Sequence, residues 1–140
     1  MSWFDEAVAL RRLRQHHAAS GEINLVVDTE QRRRREVETF DPLIQRLLSE
    51  YGEATSGKSL LRKNFLVQLE RPGEGAAKCW NWHWHLYNLT KLDESIEVHP
   101  NFAPDGIIQG FTLRRGKRHI EILDTDEAVL KEGLVSIYLP

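Results

Sequence analysis

The stretch Cys79-Trp80-Asn81-Trp82-His83-Trp84-His85-Leu86 decides the fold, because large apolar and polar side chains alternate along its whole length. Side chains of a β-strand point alternately to its two faces. As a strand, the stretch puts Trp80, Trp82, Trp84 and Leu86 on one face and Cys79, Asn81, His83 and His85 on the other. Three of the chain's four tryptophans then share a face, which marks the central plank of a sheet. The competing reading is an exposed aromatic platform for a sugar, a base or a proline-rich peptide. Three adjacent tryptophans in water would make a larger apolar patch than soluble monomers usually carry. A core role for Trp80, Trp82 and Trp84 is therefore the expectation.

Working outward, Phe65, Val67 and Leu69 alternate with Leu66, Gln68 and Glu70, and Arg71-Pro72-Gly73-Glu74-Gly75 turns into the tryptophan strand. Ile96 and Val98 mark a shorter strand before a loop with Pro100 and Pro104. Ile107 to Arg114 and Arg118 to Leu123 form a hairpin around Arg115-Gly116-Lys117. Asp124 or Thr125 caps a short helix ending at Gly133, and Val135 to Leu139 reads as a closing strand. Upstream the period is helical. Trp3, Phe4, Ala7, Leu10 and Leu13 define a first helix that Gly21 stops, and Ile23 to Val27 is read as an edge strand. Asp28 or Thr29 opens a second helix, in which Val37, Phe40, Ile44, Leu47, Leu48 and Tyr51 trace an apolar stripe. Pro42 inside that stripe predicts a kink or a hand-over between helices.

The predicted class is a single α+β domain over 1–140, mainly helical over 1–57 and mainly β over 61–140. Two N-terminal amphipathic helices pack on one face of a mainly antiparallel sheet of about five to six strands, with Phe40, Ile44 and Leu47 in the core. A chain of 140 residues with 41% hydrophobic and 29% charged content suits one globular domain rather than a disordered one. A net charge of −2 gives no bulk drive toward nucleic acid or anionic membrane. The single Cys79 forms no internal disulfide, and no apolar run approaches a signal or membrane segment. The Arg-rich start carries Asp5 and Glu6 and reads as mature structure. These features predict a cytoplasmic protein without membrane insertion.

Gly52-Glu53-Ala54-Thr55-Ser56-Gly57-Lys58-Ser59 matches the phosphate-binding GxxxxGKS pattern at 52–59. That pattern works when a strand precedes it and a helix follows, so that backbone amides at a helix N-terminus meet phosphate. Here a helix precedes and a strand follows, so ATP or GTP is not expected. His83 and His85 offer two imidazoles on one strand face, about 6.5–7 Å apart at the backbone. Such a pair suits zinc or iron when a neighbouring strand adds a third donor. The donors available are His99, His119, Glu97, Glu121 and Cys79, with Asn81 on the same face. Against this stands a plain polar outer face with no cofactor, which is the default for an antiparallel sheet.

Arg32, Arg33, Arg34 and Arg35, with Arg11, Arg12 and Arg14, form one basic cluster, and Arg114, Arg115, Lys117 and Arg118 a second. Glu30, Glu36 and Glu38 flank the first at ion-pair spacing, and four consecutive helical residues fan over more than one face. No catalytic triad or nucleophile turn appears in the sequence. The leading expectation is thus a non-enzymatic module that binds another protein, or itself, through the Arg-bearing helix surface or the polar sheet face. The alternative is a metal- or small-molecule-binding protein, with catalysis left open, centred on His83 and His85. Nucleic-acid binding through the Arg clusters ranks third and is not expected.

Overall fold

In the computed structural model, which describes residues 3–56, 64–73 and 81–140 (for 9–27 the backbone alone), the tryptophan stretch is a strand over His83–Asn88. Among the described residues, five strands form one antiparallel meander: β1 (Phe65–Glu70), β2 (His83–Asn88), β3 (Ile96–Phe102), β4 (Ile108–Arg115) and β5 (Arg118–Ile122). Each strand pairs with its sequence neighbours, so β3 sits at the centre. Helix α1 (Trp3–Thr55) packs on β1 and β2, and α2 (Glu127–Tyr138) packs on β4 and β5. The fold is α+β.

The inner face follows from the period of two. Trp84, Leu86, Ile96, Val98, Phe111 and Leu113 are buried there, meeting Val37, Ile44, Leu47 and Leu48 of α1 and Leu130, Leu134 and Ile137 of α2. Trp82 is buried as well, while Trp80 lies outside the described residues. Phe40 is half-buried and meets the Phe111 ring edge-on at 5.5 Å. The fully buried Trp84 needs an acceptor for its indole N–H. It donates to Asp41 Oδ1 at 2.8 Å. Asp41 also accepts from the Gln45 amide at 3.3 Å.

Three sequence expectations are corrected. The N-terminal pair of helices is a single helix of 53 residues, so Gly21 ends nothing and Ile23 to Val27 is helical rather than an edge strand. Breaking and restarting a helix costs about 4 kcal/mol of nucleation, whereas an interior glycine costs about 1 kcal/mol. Pro42 likewise lies inside the helix. Its missing N–H and ring cost about 3 kcal/mol. Burial of Ile44, Leu47 and Leu48 just beyond it stabilises by about 1.5–3 kcal/mol each, which outweighs that penalty.

The C-terminal strand is absent too. Val135 to Tyr138 is the last turn of α2, whose buried positions Leu130, Gly133, Leu134 and Ile137 recur at helical spacing. Gly133 is there for close approach, since a Cβ on it would lie 2.4 Å from Ile122 Cδ1. The helix starts at Glu127 with Asp126 as N-cap; Asp124 instead accepts the N–H groups of Thr125 and Asp126 at 2.7 and 3.2 Å. Finally, β3 runs on through Pro100 to Phe102. Pro100 lies beyond Val98, the last β3 residue paired with β2, so one side of the strand needs no donor there.

Candidate functional site

With both helices on the inner face, the outer face of the sheet carries the polar halves of the strands. Two cross-strand rows follow from the register. One row is Gln68, His85, Glu97, Arg114 and His119. The other holds the β1–β2 pair Glu70 and His83, and across β3, β4 and β5 His99, Thr112 and Glu121. Burial of Trp84 between His83 and His85, and of Val98 between Glu97 and His99, fixes which way these side chains point.

Glu97 is the centre of the cluster. Its Oε1 lies 3.8 Å from His83 Nε2 and 3.7 Å from His85 Nδ1. Its Oε2 accepts from His99 Nε2 at 3.4 Å. The donor atoms of His83, His85 and Glu97 all fall within 4.8 Å of one another. Tetrahedral zinc, with bonds of about 2.0–2.1 Å, places ligand atoms about 3.4 Å apart.

The surroundings orient these groups. His83 Nδ1 donates to the Asn81 carbonyl at 3.2 Å. A carbonyl only accepts, so His83 Nδ1 carries a proton and Nε2 is the nitrogen turned toward Glu97. The His83 ring stacks on His99 at 4.7 Å, and the His85 ring stacks on Tyr87 at 3.8 Å. Tyr87 in turn donates to Glu70 Oε1 at 2.8 Å. Burial pulls the His85 pKa down, against the opposing pull of Glu97, and so favours the neutral ring that binds metal. The hydrogen bond from His99, helped by the charge of the three histidines and opposed by burial, holds the Glu97 carboxyl at about 2. The cluster thus presents an ionised carboxylate and two imidazole nitrogens toward one point.

The other residues singled out in the sequence are spread out. His119 shares the row of Glu97 but stands two strands away, about 9–10 Å across the sheet. Cys79 lies outside the described residues, as do the side chains of Arg11, Arg12 and Arg14. Arg32 donates to the Asp105 carbonyl at 3.0 Å, and Arg33 pairs with Glu30 at 2.5 Å while lying over the Phe102 ring. Arg34 and Arg35 are exposed, so the run does not converge on one surface. Arg115 and Arg118 close the open end of α2: Arg115 reaches the Tyr138 carbonyl at 3.0 Å, and Arg118 those of Ile137 and Ser136 at 3.0 and 2.9 Å. Lys117 is exposed at the hairpin tip. In the GxxxxGKS stretch, Gly52 to Thr55 end α1, with Gly52 packed against Phe65, and Gly57 to Ser59 lie outside the described residues.

From sequence, Glu97 carries no more weight than four other donors. The signal that singles it out is a second polar pair, Glu97 and His99, flanking one apolar residue as His83 and His85 flank Trp84. No protein-family model matches the chain, and neither a curated protein nor a solved structure is similar to it. Among the described residues, no helix is long and apolar enough to cross a membrane.

Proposed function

We propose that this protein binds a divalent transition-metal ion, zinc or iron(II), through His83 Nε2, His85 Nδ1 and Glu97. The observation that carries the reading is the convergence of two imidazole nitrogens and one carboxylate within 4.8 Å. The supporting shell adds to it. His83 is fixed in its tautomer by a backbone carbonyl, and the carboxylate is held by a further histidine. Two histidines and one carboxylate are the ligand set of many catalytic zinc and iron(II) centres, which keep a coordination position for water or substrate. A metal held this way polarises a carbonyl or activates a water molecule, so an enzyme built on the outer sheet face belongs to this reading. A reducing cytoplasm, inferred from the lone Cys79, is part of the proposal.

The test is calorimetric titration of zinc into metal-free protein. One equivalent binds the unaltered protein, and none binds the His83→Ala/His85→Ala double variant. His83 is buried, so Glu97→Gln, which preserves shape, serves as the second variant and weakens zinc by about tenfold or more. Absence of zinc binding to the unaltered protein, or equal binding by all three, overturns the reading.

A second reading, a module that binds another protein or itself, draws on a different surface. Leu47, Tyr51, Leu134, Val135, Tyr138 and Leu139 line an apolar groove of about 370 Å³ between α1 and α2. Val135 and Leu139 are each more than half exposed there. Size-exclusion chromatography with light scattering tests self-association, and a monomer at all concentrations removes that form of it.

A further inference from the structure

Beside the His83–His85–Glu97 cluster a cavity of about 650 Å³, within the size range of small-molecule sites, is lined both by the outer-row residues His99, Thr112 and Glu121 and by Glu30 and Arg33 of α1. Its lining joins the polar side chains of His99, Asn101, Thr112 and Arg114 to the rings of Trp82 and Phe102, which lie under the guanidinium groups of Arg71 and Arg33. His99 and Asn81 line this cavity and also hold the cluster, His99 through Glu97 and Asn81 through His83. His99 and Asn81 are therefore shared between the cavity lining and the supports of the proposed metal.

From this arrangement we infer that the cavity binds a small organic carboxylate, with one end at the metal and its negative charge shared with Arg114. The inference rests on the metal reading above. Arg114 stands directly across from Glu97 in the register, one strand from the metal ligands. Glu97 turns its oxygens to the three histidines, and among the described residues no ion pair includes Arg114. A planar guanidinium offers a paired set of donors that matches a carboxylate. Next to it, the Thr112 hydroxyl donates to Asn101 Oδ1 at 3.1 Å, which turns the two Asn101 amide hydrogens away from that bond and makes them donors for a ligand.

The lining also carries two carboxylates, Glu30 and Glu121. Glu30 is neutralised by Arg33, and Glu121 belongs to the neighbouring row, opposite Thr112. A divalent ion held by one carboxylate leaves a net positive charge beside Arg114. An anion is the complement of that pair, and Trp82 and Phe102 suit an apolar group attached to it.

Cobalt(II) substitutes for zinc and reports its coordination through visible absorption. Cobalt(II)-loaded protein is titrated with 3-phenylpropanoate, and separately with the matching alcohol, 3-phenylpropan-1-ol. The acid shifts the cobalt bands saturably and binds about tenfold or more tightly than the alcohol. Arg114→Ala, an exposed position, keeps cobalt affinity unchanged and lowers the preference for the acid, while Arg114→Lys restores part of it. Unchanged bands at millimolar acid, equal binding of acid and alcohol, or an undiminished preference in Arg114→Ala overturns the inference. Failure to load cobalt or zinc at all instead overturns the metal reading on which it depends.

Discussion

Replacing Asp41 by alanine tests how the inner face is tied to α1. Asp41 Oδ1 is the acceptor of the Trp84 indole N–H, and Trp84 is fully buried. Removing the carboxylate leaves a buried donor unpaired, at a cost of about 1–3 kcal/mol, toward the upper end because the acceptor is ionised. Alanine is the better helix former, which returns about 0.5 kcal/mol, and the weak Gln45 contact adds little. The expected loss is about 1.5–2 kcal/mol. Urea unfolding followed by far-ultraviolet circular dichroism reads this as a midpoint lower by about 0.7–1 M, taking a slope of about 2 kcal/mol/M. Asp41→Asn keeps an acceptor oxygen and recovers about half of the loss. Trp84→Phe removes the same bond and leaves a void, so it costs more on its own. In the double variant the two losses fall short of additivity by about 1–2 kcal/mol. Additive losses, or an Asp41→Ala midpoint within about 0.2 M of the unaltered protein, would refute the tie.

Three further outcomes follow from the geometry. Gly110→Ala destabilises by about 1–3 kcal/mol or more in thermal melts, because its Cβ would sit 2.1 Å from the Ile122 carbonyl oxygen, a backbone atom that cannot swing aside; a neutral result contradicts the β4–β5 approach. The Arg115→Ala/Arg118→Ala variant loses about 1–3 kcal/mol and exchanges the amides of the last α2 turn faster by hydrogen-exchange mass spectrometry, since those carbonyls lose their donors. In metal-free protein, Glu97 titrates at about 2 when folded against 4.5 when unfolded. Its contribution is therefore complete above pH 4.5 and is lost as pH falls toward 2, and the lowered His85 pKa adds a decline that begins below 6.5. Glu97→Gln flattens the lower limb of that profile, and an unchanged profile contradicts the role of the carboxylate.

The strands are legible in the sequence because the sheet has one wet and one dry face, so period two shows directly in Trp82-His83-Trp84-His85 and in the Arg114–Arg118 hairpin. The helices escape a reading by local rules where those rules meet a non-local packing energy. Pro42 and Gly133 read as breakers in isolation, yet both sit in helices whose neighbouring residues are buried against the sheet. Val135, Ser136 and Ile137 alternate over too few residues to separate strand from helix, and only the position of Ile137 beneath β4 and β5 decides it. For the site, the imidazole pair is visible on one strand, but its partner depends on the β2–β3 register. That register is set by the residues between Asn88 and Ile96: the Asn88 side chain accepts the Thr90 and Lys91 N–H groups, and Ser95 Oγ accepts the Asn88 N–H. The two basic runs look alike in sequence and differ in use, because Arg32 and Arg33 meet the loop before β4 whereas Arg115 and Arg118 close α2.

The most direct test of the central proposal is X-ray absorption at the zinc edge of protein loaded with one equivalent of zinc. The account predicts nitrogen and oxygen neighbours at about 2.0–2.1 Å with the outer-shell pattern of at least two imidazoles, and loss of that pattern in His83→Ala/His85→Ala. A sulfur neighbour at about 2.3 Å, pointing to Cys79, or a shell of oxygen alone, would contradict it.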